Sequence, residues 1–195
     1  MSAGAVGQPI IIVSGLPRSG TSLMMQMLKA GGLEILSDGS READPDNPKG
    51  YLEYEPVKSL RRDNSWLKIA AGKGLKVISA LLPYLPTDLS YKVIFMQRPL
   101  AEVIASQQKM LVRLGKGGSQ ASSETLADLF ARQSAQTERW LKAQRHIALL
   151  TVQYRDAVLK PEDTALAVSR FLDIPLNIPA MCRVADPSLY RNIVN

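Results

Sequence analysis

The feature that most constrains the fold of this chain is a run of four β-branched residues, 10–13, that leads into a glycine-rich turn. A short, continuous apolar run of this kind is typical of a strand that is buried in a parallel sheet. After the turn, residues 21–30 have the apolar spacing of a helix, and two glycines at 31–32 are typical of its end. Strand, tight turn and helix in this order predict the first βαβ unit of an α/β domain.

The rest of the chain continues this alternation. Further strands are predicted at residues 33–36, 76–79, 92–96 and 147–153, and further helices at 55–68, 99–113, 124–144 and 161–172. Strands that are joined through helices pair in parallel, with helices on both faces of the sheet. We therefore predict a single domain over residues 1–195, a three-layer αβα fold with a central parallel sheet. Residues 1–8 are expected to be flexible, and loops at 37–50 and 115–123 to lie over the pocket.

Length and composition limit the classes of protein to which this chain can belong. The 195 residues suit one domain, and 46% hydrophobic with 22% charged residues are ordinary values for a globular protein. The single cysteine, Cys182, excludes an internal disulfide, as expected in a reducing compartment. No apolar run reaches the roughly 18 residues of a membrane-spanning helix, and residues 1–8 lack the basic residues of a secretion signal. We therefore expect a cytoplasmic protein without a membrane span.

The net charge of +6 predicts an anionic partner, and the distribution of the charge narrows the choice. Residues 10–32 hold two basic side chains and no acidic one, and residues 92–118 hold five basic and one acidic. Residues 34–55 instead hold seven acids and two basic side chains. No run of Lys and Arg is typical of a nucleic-acid-binding tract. We therefore expect a discrete anion pocket beside an acidic segment, and no nucleic-acid partner.

The turn after the first strand reads G-L-P-R-S-G-T-S, a composition typical of phosphate-binding loops. Gly15 and Gly20 permit a backbone whose N–H groups surround an anion at the positive end of the following helix. The hydroxyls of Thr21 and Ser22 can donate to the same anion. The pattern nearly matches the ATP-binding loop G-x-x-x-x-G-K-S/T, but Thr21 replaces the lysine, which argues against a three-phosphate donor. The loop's cation is Arg18. The alternative is a turn that only links strand to helix.

This loop resembles the 5′-phosphosulfate loop of the sulfotransferases, and its arginine is similar to that of the tyrosylprotein sulfotransferases. The family uses 3′-phosphoadenosine 5′-phosphosulfate (PAPS) on a fold related to the P-loop nucleotide hydrolases. Because sulfuryl transfer needs charge stabilisation, Arg18 is the candidate for stabilising charge on the bridging oxygen and the 5′-phosphate. The resemblance implies that the cofactor is bound by Pro17, Arg18, Ser19, Gly20, Thr21 and Ser22.

A second segment of the family's pattern ends in Arg98, which follows the strand predicted at 92–96. Ligands of α/β sheets bind at the carboxyl ends of strands, so Arg98 is expected on the same rim as the loop. Ser106 lies about two helical turns further on, where its hydroxyl can share an anion with Arg98. The resemblance implies that both bind the 3′-phosphate, for which a guanidinium fork is suited. Alternatively, Arg98 is a salt-bridge partner at the start of a helix.

A third segment, V-Q-Y-R-D, is similar to the family's Y-E-D segment, with Arg155 in place of the glutamate. It implies that Tyr154 lies beside the adenine, although a packed strand tyrosine also fits. The family has basic C-terminal residues that bind the cofactor, which implies Arg191 as a further ligand. The family's usual motif there is R-K-G, from which this chain departs. The three matches come in the family's order and span about residues 10–172.

The general base for the acceptor's proton is less defined than the phosphate ligands. In many members it is a histidine at a strand end, but residues 77–83 contain none, and His146 begins a different strand. Tyrosylprotein sulfotransferases pair their loop arginine with a glutamate downstream of the first helix. The resemblance therefore implies Glu53 or Glu55 as the base. Glu55 can instead be a carboxylate that is favoured at a helix N-terminus.

Together these features predict a PAPS-dependent sulfotransferase with a P-loop nucleotide hydrolase-like fold. The expected acceptor is a hydroxyl or amine of a small molecule or peptide. No metal is expected, because arginines and backbone dipoles meet the charge of the cofactor. Two alternatives stay open, a P-loop small-molecule kinase and a non-catalytic adenine-nucleotide-binding protein. The missing loop lysine counts against the first, and the missing histidine base keeps the second open.

Overall fold

The computed structural model describes residues 7–44, 47, 50–113, 115 and 123–190. Four parallel strands form the sheet in the order β2-β1-β3-β4: β1 Ile10–Gly15, β2 Gly74–Lys76, β3 Tyr91–Gln97 and β4 Ile147–Gln153. The helices are α1 Thr21–Ala30, α2 Leu100–Arg113, α3 Ser123–Ala143, α4 Tyr154–Leu159, α5 Pro161–Leu172 and α6 Ile178–Val184. The predicted α/β fold with a central parallel sheet is confirmed.

Hydrophobic cores lie on both faces of the sheet. Every residue of β1 is buried, as the continuous apolar run predicts. Because successive side chains of a strand point to opposite faces, Ile11 and Val13 pack with α1, α5 and α6. Ile10 and Ile12 pack on the other face, with side chains from α3 and from short 3₁₀ helices. The sheet is therefore the middle layer of three.

The strand register brings the carboxyl ends of the strands to one edge of the sheet. Val13 of β1 is opposite Lys76, the last residue of β2, and Gly15 is opposite Met96 near the end of β3. The last residue of β4 is opposite Gln97, the last residue of β3. The glycine-rich turn and the residues that follow β2, β3 and β4 consequently meet at this edge, where parallel sheets bind ligands.

Two of the predicted strands were wrong in extent. Residues 33–36 form no strand, and Ile35 makes a single parallel bridge with Gly74. Around this bridge, the Leu36 N–H donates to the Gly74 carbonyl oxygen at 2.9 Å and the Gly74 N–H to that of Glu34 at 2.8 Å. The strand predicted at 76–79 lies at Gly74–Lys76 instead, and the chain enters a 3₁₀ helix at Ser79–Tyr84.

The helix predicted at 55–68 was also wrong, because the segment forms two 3₁₀ helices, Glu55–Ser59 and Ser65–Ala70. Between them, the carboxylate of Asp63 accepts hydrogen bonds from the backbone N–H and the hydroxyl of Ser65, at 3.0 and 2.7 Å. These local bonds stand in the place of helical backbone bonding where the second 3₁₀ helix begins. Helices α4 and α6 were not predicted.

The flexible segment predicted at 1–8 and the loop predicted at 115–123 lie mostly outside the described residues. The loop predicted at 37–50 is described except for residues 45, 46, 48 and 49. In the described part of the chain, every helix is too short or too polar to cross a membrane.

Candidate active site

The loop between β1 and α1 requires glycine at both ends. Gly15 and Gly20 have φ values of 153° and 98°, in the region that favours glycine. A Cβ atom on Gly15 would lie 2.6 Å from the carbonyl oxygen of Met96, and one on Gly20 would overlap the ring of Tyr154. Arg18 also has a positive φ, 70°, which is uncommon for a residue with a side chain and costs conformational energy. The loop is therefore held tightly in one conformation.

The N-terminus of α1 faces the space that this loop encloses. Gly20 precedes the helix and has no side chain that could cap it, and the first turn carries no acidic residue. The unpaired N–H groups and the positive end of the helix dipole are therefore available to an anion. Thr21 and Ser22 add two hydroxyls, and both residues line the adjoining cavity.

A cavity of about 500 Å³ opens at this edge of the sheet. It is bounded by the loop, by the ends of β2 and β3, and by residues of α2 and α4. Basic side chains outnumber acidic ones in its lining by six to two: Arg18, Arg41, Lys58, Lys76, Arg98 and Lys109 against Glu53 and Asp186. Because low-dielectric walls strengthen the field of such charges, the cavity attracts anions.

Arg98 lies on one side of the cavity in a fixed position. Its Nε donates to Oε2 of Glu102 at 2.8 Å, and its Nη1 donates to the carbonyl oxygen of Arg18 at 3.3 Å. The guanidinium carbon lies 4.4 Å from the ring centre of Tyr154. Arg98 is thus a salt-bridge partner at the start of α2, as the alternative interpretation predicts, and it also lines the cavity.

Ser106 contacts the loop arginine. The Nε of Arg18 donates to the Ser106 hydroxyl at 2.9 Å, across 88 residues of sequence, and both side chains line the cavity. Ser106 lies on α2, the helix that follows Arg98. The structure therefore joins the two predicted phosphate segments through Ser106. Sharing of one anion between Ser106 and Arg98 stays a prediction.

Tyr154 is the first residue of α4 and is buried against the loop. Its ring lies against Gly20 and makes an edge-to-face contact with Tyr190, with ring centres 5.3 Å apart. Burial raises the pKa of the Tyr154 hydroxyl, so the phenol stays neutral at ordinary pH. Tyr154 is packed, and it also lines the cavity between Arg98 and the loop.

On the opposite side, Lys76 connects the loop to a carboxylate. Its Nζ donates to Ser22 Oγ at 3.1 Å, to the carbonyl oxygen of Tyr51 at 3.2 Å and to Glu53 Oε1 at 3.2 Å. Arg41 donates to the same Glu53 oxygen at 3.2 Å and stacks on the Tyr51 ring. Burial lowers the pKa of Lys76, and the carboxylate of Glu53 partly offsets this effect.

The structure separates the two candidate glutamates. Glu53 lines the cavity. The Glu55 carboxylate is more than half exposed, pairs with Lys58 at 2.6 Å and is not part of the cavity lining. Glu55 begins a 3₁₀ helix, and its backbone N–H donates to Asp38. These positions favour Glu53 over Glu55 as the candidate base.

The other predicted ligands have different positions. Pro17 lines the cavity. The Ser19 hydroxyl is buried, has no hydrogen-bond partner among the described residues and does not line the cavity. Arg191 lies outside the described residues.

Four site residues were not predicted: Lys76, Arg41, Glu102 and Tyr190. Lys76 ends a parallel strand, but the strand predicted at 76–79 begins there, so the rule that indicated Arg98 did not indicate Lys76. Glu102 follows Arg98 by four residues, the spacing of neighbours on a helix. No comparable signal in the sequence indicates Arg41 or Tyr190.

A comparison with known protein families shows the family to which this chain belongs. The model of the sulfotransferase domain matches residues 8–192. The chain belongs to the sulfotransferase family. The match covers nearly the whole chain and contains every described residue of the cavity lining.

Solved sulfotransferase structures share this fold. The sulfotransferase domain of the Synechococcus PCC 7002 olefin synthase is 16% identical with a TM-score of 0.57, over 100% of this chain and 92% of that one. Mouse sulfotransferase SULT7A1, complexed with PAP, is 14% identical with a TM-score of 0.57, over 91% of this chain and 62% of that one. A sulfotransferase from Alicyclobacillus acidocaldarius is 16% identical with a TM-score of 0.50, over 87% and 82%. No curated protein matches the sequence. These likenesses confirm the predicted sulfotransferase-type fold.

Proposed function

We propose that this sulfotransferase moves a sulfuryl group from PAPS to a hydroxyl or amine of a small-molecule or peptide acceptor. The observation that carries the proposal is the convergence of the loop arginine, the open end of α1 and two further basic centres, Arg98 and Lys76, on one cavity. A solved relative, mouse SULT7A1, is complexed with PAP. PAP is 3′,5′-bisphosphoadenosine, the product that remains when PAPS has given up its sulfuryl group.

The residues present fit a nucleotide with anionic groups at both ends. Gly15 and Gly20 let the loop backbone pack closely against the Met96 carbonyl oxygen and the Tyr154 ring, which leaves the start of α1 open to the cavity. Arg18 and Lys76 flank the start of α1, and Arg98 lies beyond the Tyr154 ring. Positive charge is thus available at two separate places, as a 3′-phosphate and a 5′-phosphosulfate require.

Each side chain has a proposed role in binding. Thr21, Ser22 and the N–H groups of the loop hold the 5′-phosphate, together with Arg18. Arg98 and Ser106 hold the 3′-phosphate. The ring of Tyr154 packs against the adenine. Pro17, Ser19 and Gly20 shape the loop, and Arg191 is retained as a proposed ligand on the sequence alone.

In the transfer, PAPS would supply an activated sulfuryl group whose bond to the 5′-phosphate oxygen breaks as the bond to the acceptor forms. Arg18 and Lys76 neutralise the charge that develops on that oxygen and on the transferred group. Glu53 takes the acceptor's proton. In the described part of the chain both of its cationic partners bind Oε1, which leaves Oε2 to receive the proton.

The kinase alternative is not favoured by the family assignment, and Thr21 occupies the position of the kinase lysine. We further propose that no metal ion takes part, because Arg18, Lys76 and Arg98 supply the positive charge that a metal would provide. A cytoplasmic location is proposed from the sequence, in which Cys182 has no second cysteine as a partner.

The proposal is tested by release of PAP from PAPS in the presence of alcohols, phenols, amines and tyrosine-containing peptides. We expect release that depends on one of these acceptor classes, and no formation of ADP when ATP replaces PAPS. Turnover of ATP would favour the kinase. Binding of PAP without any transfer across the panel would favour the non-catalytic alternative.

A further inference from the structure

Behind Arg98, away from the cavity, lies a buried carboxylate with two fixed partners. The side chains of Arg98 and Glu102 are 7% and 2% exposed. Oε2 of Glu102 accepts from Arg98 Nε at 2.8 Å, and Oε1 accepts from the Tyr190 hydroxyl at 2.9 Å. Arg98 lines the cavity, whereas Glu102 and Tyr190 do not. The Glu102 carboxylate therefore reaches the cavity through Arg98, and the Tyr190 ring also contacts Tyr154, which lines the cavity.

Tyr190 reaches Glu102 from the C-terminal part of the chain. It follows a short 3₁₀ helix, Pro187–Leu189, which begins with a bond from the Ser188 N–H to the Asp186 carboxylate. Burial raises the pKa of Tyr190, and the hydrogen bond to Glu102 raises it further. The hydroxyl therefore stays protonated and donates a hydrogen bond to the Glu102 carboxylate.

The arrangement fixes the direction of the Arg98 guanidinium. Nε donates to Glu102 and Nη1 donates to the carbonyl oxygen of Arg18, so the guanidinium is held at two points. The rings of Tyr154 and Tyr190 lie 4.4 and 5.5 Å from the guanidinium carbon. A free arginine loses much side-chain entropy when it binds an anion, and an arginine that is already held loses less. Burial also strengthens its attraction to an anion.

We propose that Glu102 and Tyr190 are positioning residues, which hold Arg98 for a 3′-phosphate and thereby set the preference for a nucleotide that carries this group. The inference rests on the proposed function, because it takes Arg98 as the ligand of the 3′-phosphate. It adds that selectivity depends on a carboxylate and a phenol that do not touch the nucleotide.

The test compares two nucleotides that differ only in the 3′-phosphate, PAP and 5′-AMP, by titration calorimetry. Tyr190→Phe removes one hydroxyl and keeps the ring. We expect it to weaken PAP binding about fivefold, the effect of one modest hydrogen bond, and to leave AMP binding unchanged. The control is Tyr84→Phe, since Tyr84 is partly exposed and outside the cavity lining. Equal weakening of both nucleotides by Tyr190→Phe, or no weakening of PAP, would overturn the proposal.

A second variant, Glu102→Gln, keeps the shape of the side chain and removes its charge. We expect PAP affinity to fall by at least about tenfold while AMP affinity holds, with folding checked by circular dichroism. Tighter PAP binding would show that the carboxylate competes with the phosphate, which contradicts the proposal. If this variant does not fold, Tyr190→Phe decides. A wild-type protein that binds PAP and AMP equally would instead contradict the proposed 3′-phosphate site itself.

Discussion

Two ion pairs border the cavity, and they are built differently. On the nucleotide side, Arg98 and Glu102 are 7% and 2% exposed, and each oxygen of the carboxylate has its own donor. On the acceptor side, Lys76 is 8% exposed, but Glu53 is 26% exposed and shares one oxygen between Lys76 and Arg41. The first pair is closed and fully satisfied. The second keeps a carboxylate oxygen for further chemistry.

Under the proposed function, this difference would let one cavity serve two tasks. A buried charge without its partner is costly, so the Arg98–Glu102 pair is held together and presents a constant surface to a nucleotide. A partly exposed carboxylate, of which one oxygen accepts both hydrogen bonds, can exchange partners at lower cost. Constant charge suits binding of a cofactor, and an available carboxylate suits proton transfer from an acceptor.

The largest expected effect tests the difference between the two ion pairs at Glu53. Glu53→Gln should lower PAPS-dependent turnover by about 10³-fold, because the amide cannot take the acceptor's proton. The matched control, Glu55→Gln, should stay within about twofold, since that carboxylate is exposed and outside the cavity lining. The measurement is PAP release with the best acceptor of the panel. Full activity in both variants would remove Glu53 from the mechanism.

The burial of the Arg98–Glu102 pair predicts that breaking it lowers the free energy of unfolding more than breaking the exposed pair does. Arg98→Ala leaves the buried Glu102 without its cation and should lower the free energy of unfolding by about 3 kcal/mol. Arg41→Ala breaks a pair whose side chains are 42% and 26% exposed and should cost less than about 1 kcal/mol. Urea denaturation measures both. Similar losses in the two variants would mean that the pairs do not differ as described.

Arg18 lies between the two sides. Arg18→Ala should lower turnover about a hundredfold, the usual effect of removing one donor that faces developing charge. Arg18→Lys should recover part of the rate, because it restores the charge without the fork that reaches Ser106. If the alanine variant kept more than about a third of the wild-type rate, the loop would bind the nucleotide without stabilising the transfer.

The smallest expected effect is in the pH dependence of stability. The folded-state pKa of Tyr154 is raised by burial, so above pH 10 the unfolded chain loses a proton that the folded chain keeps. Stability from this group is therefore present below pH 10 and is lost as the pH rises further. Tyr154→Phe should flatten the fall in unfolding free energy between pH 10 and 11, by at most about 1.4 kcal/mol per pH unit. An unchanged slope would contradict the burial of this phenol.

Lys76 is expected to have the opposite effect on the pH dependence of stability. Burial lowers its folded-state pKa, so just below pH 10.5 the unfolded chain binds a proton that the folded chain does not. Its contribution to stability therefore rises with pH in that range. Lys76→Met should remove this rise, whereas Tyr154→Phe removes a fall.

Local patterns predicted the elements that need few distant partners. The first strand, its glycine turn and α1 followed from residues 10–30, and the last strand and α5 had the predicted bounds. Residues 33–36 look like a strand, but their described pairing is one bridge between Ile35 and Gly74, so no ladder forms. The helix predicted at 55–68 is instead two 3₁₀ helices, and Asp63 makes local bonds to Ser65 between them.

For the site, the sequence indicated side chains that follow a strand or lie in the loop, which include Arg18 and Arg98. It did not indicate the residues that hold them. Tyr190 and Glu102 are 88 positions apart, and their contact depends on where the C-terminal segment packs. The sequence also could not separate Glu53 from Glu55, because the two carboxylates are only two residues apart. The structure shows that Glu53 lines the cavity and that Glu55 does not.

The central claim is that two anion centres of one cavity hold a nucleotide with separate 3′ and 5′ anionic groups. Titration of the wild-type protein and of folded Arg98→Ala with PAP, ADP and ATP tests it most directly. We predict that the wild-type protein binds PAP more tightly than ADP or ATP, and that Arg98→Ala loses at least about tenfold in PAP affinity only. A preference for ATP, or unchanged PAP binding by Arg98→Ala, would contradict the account.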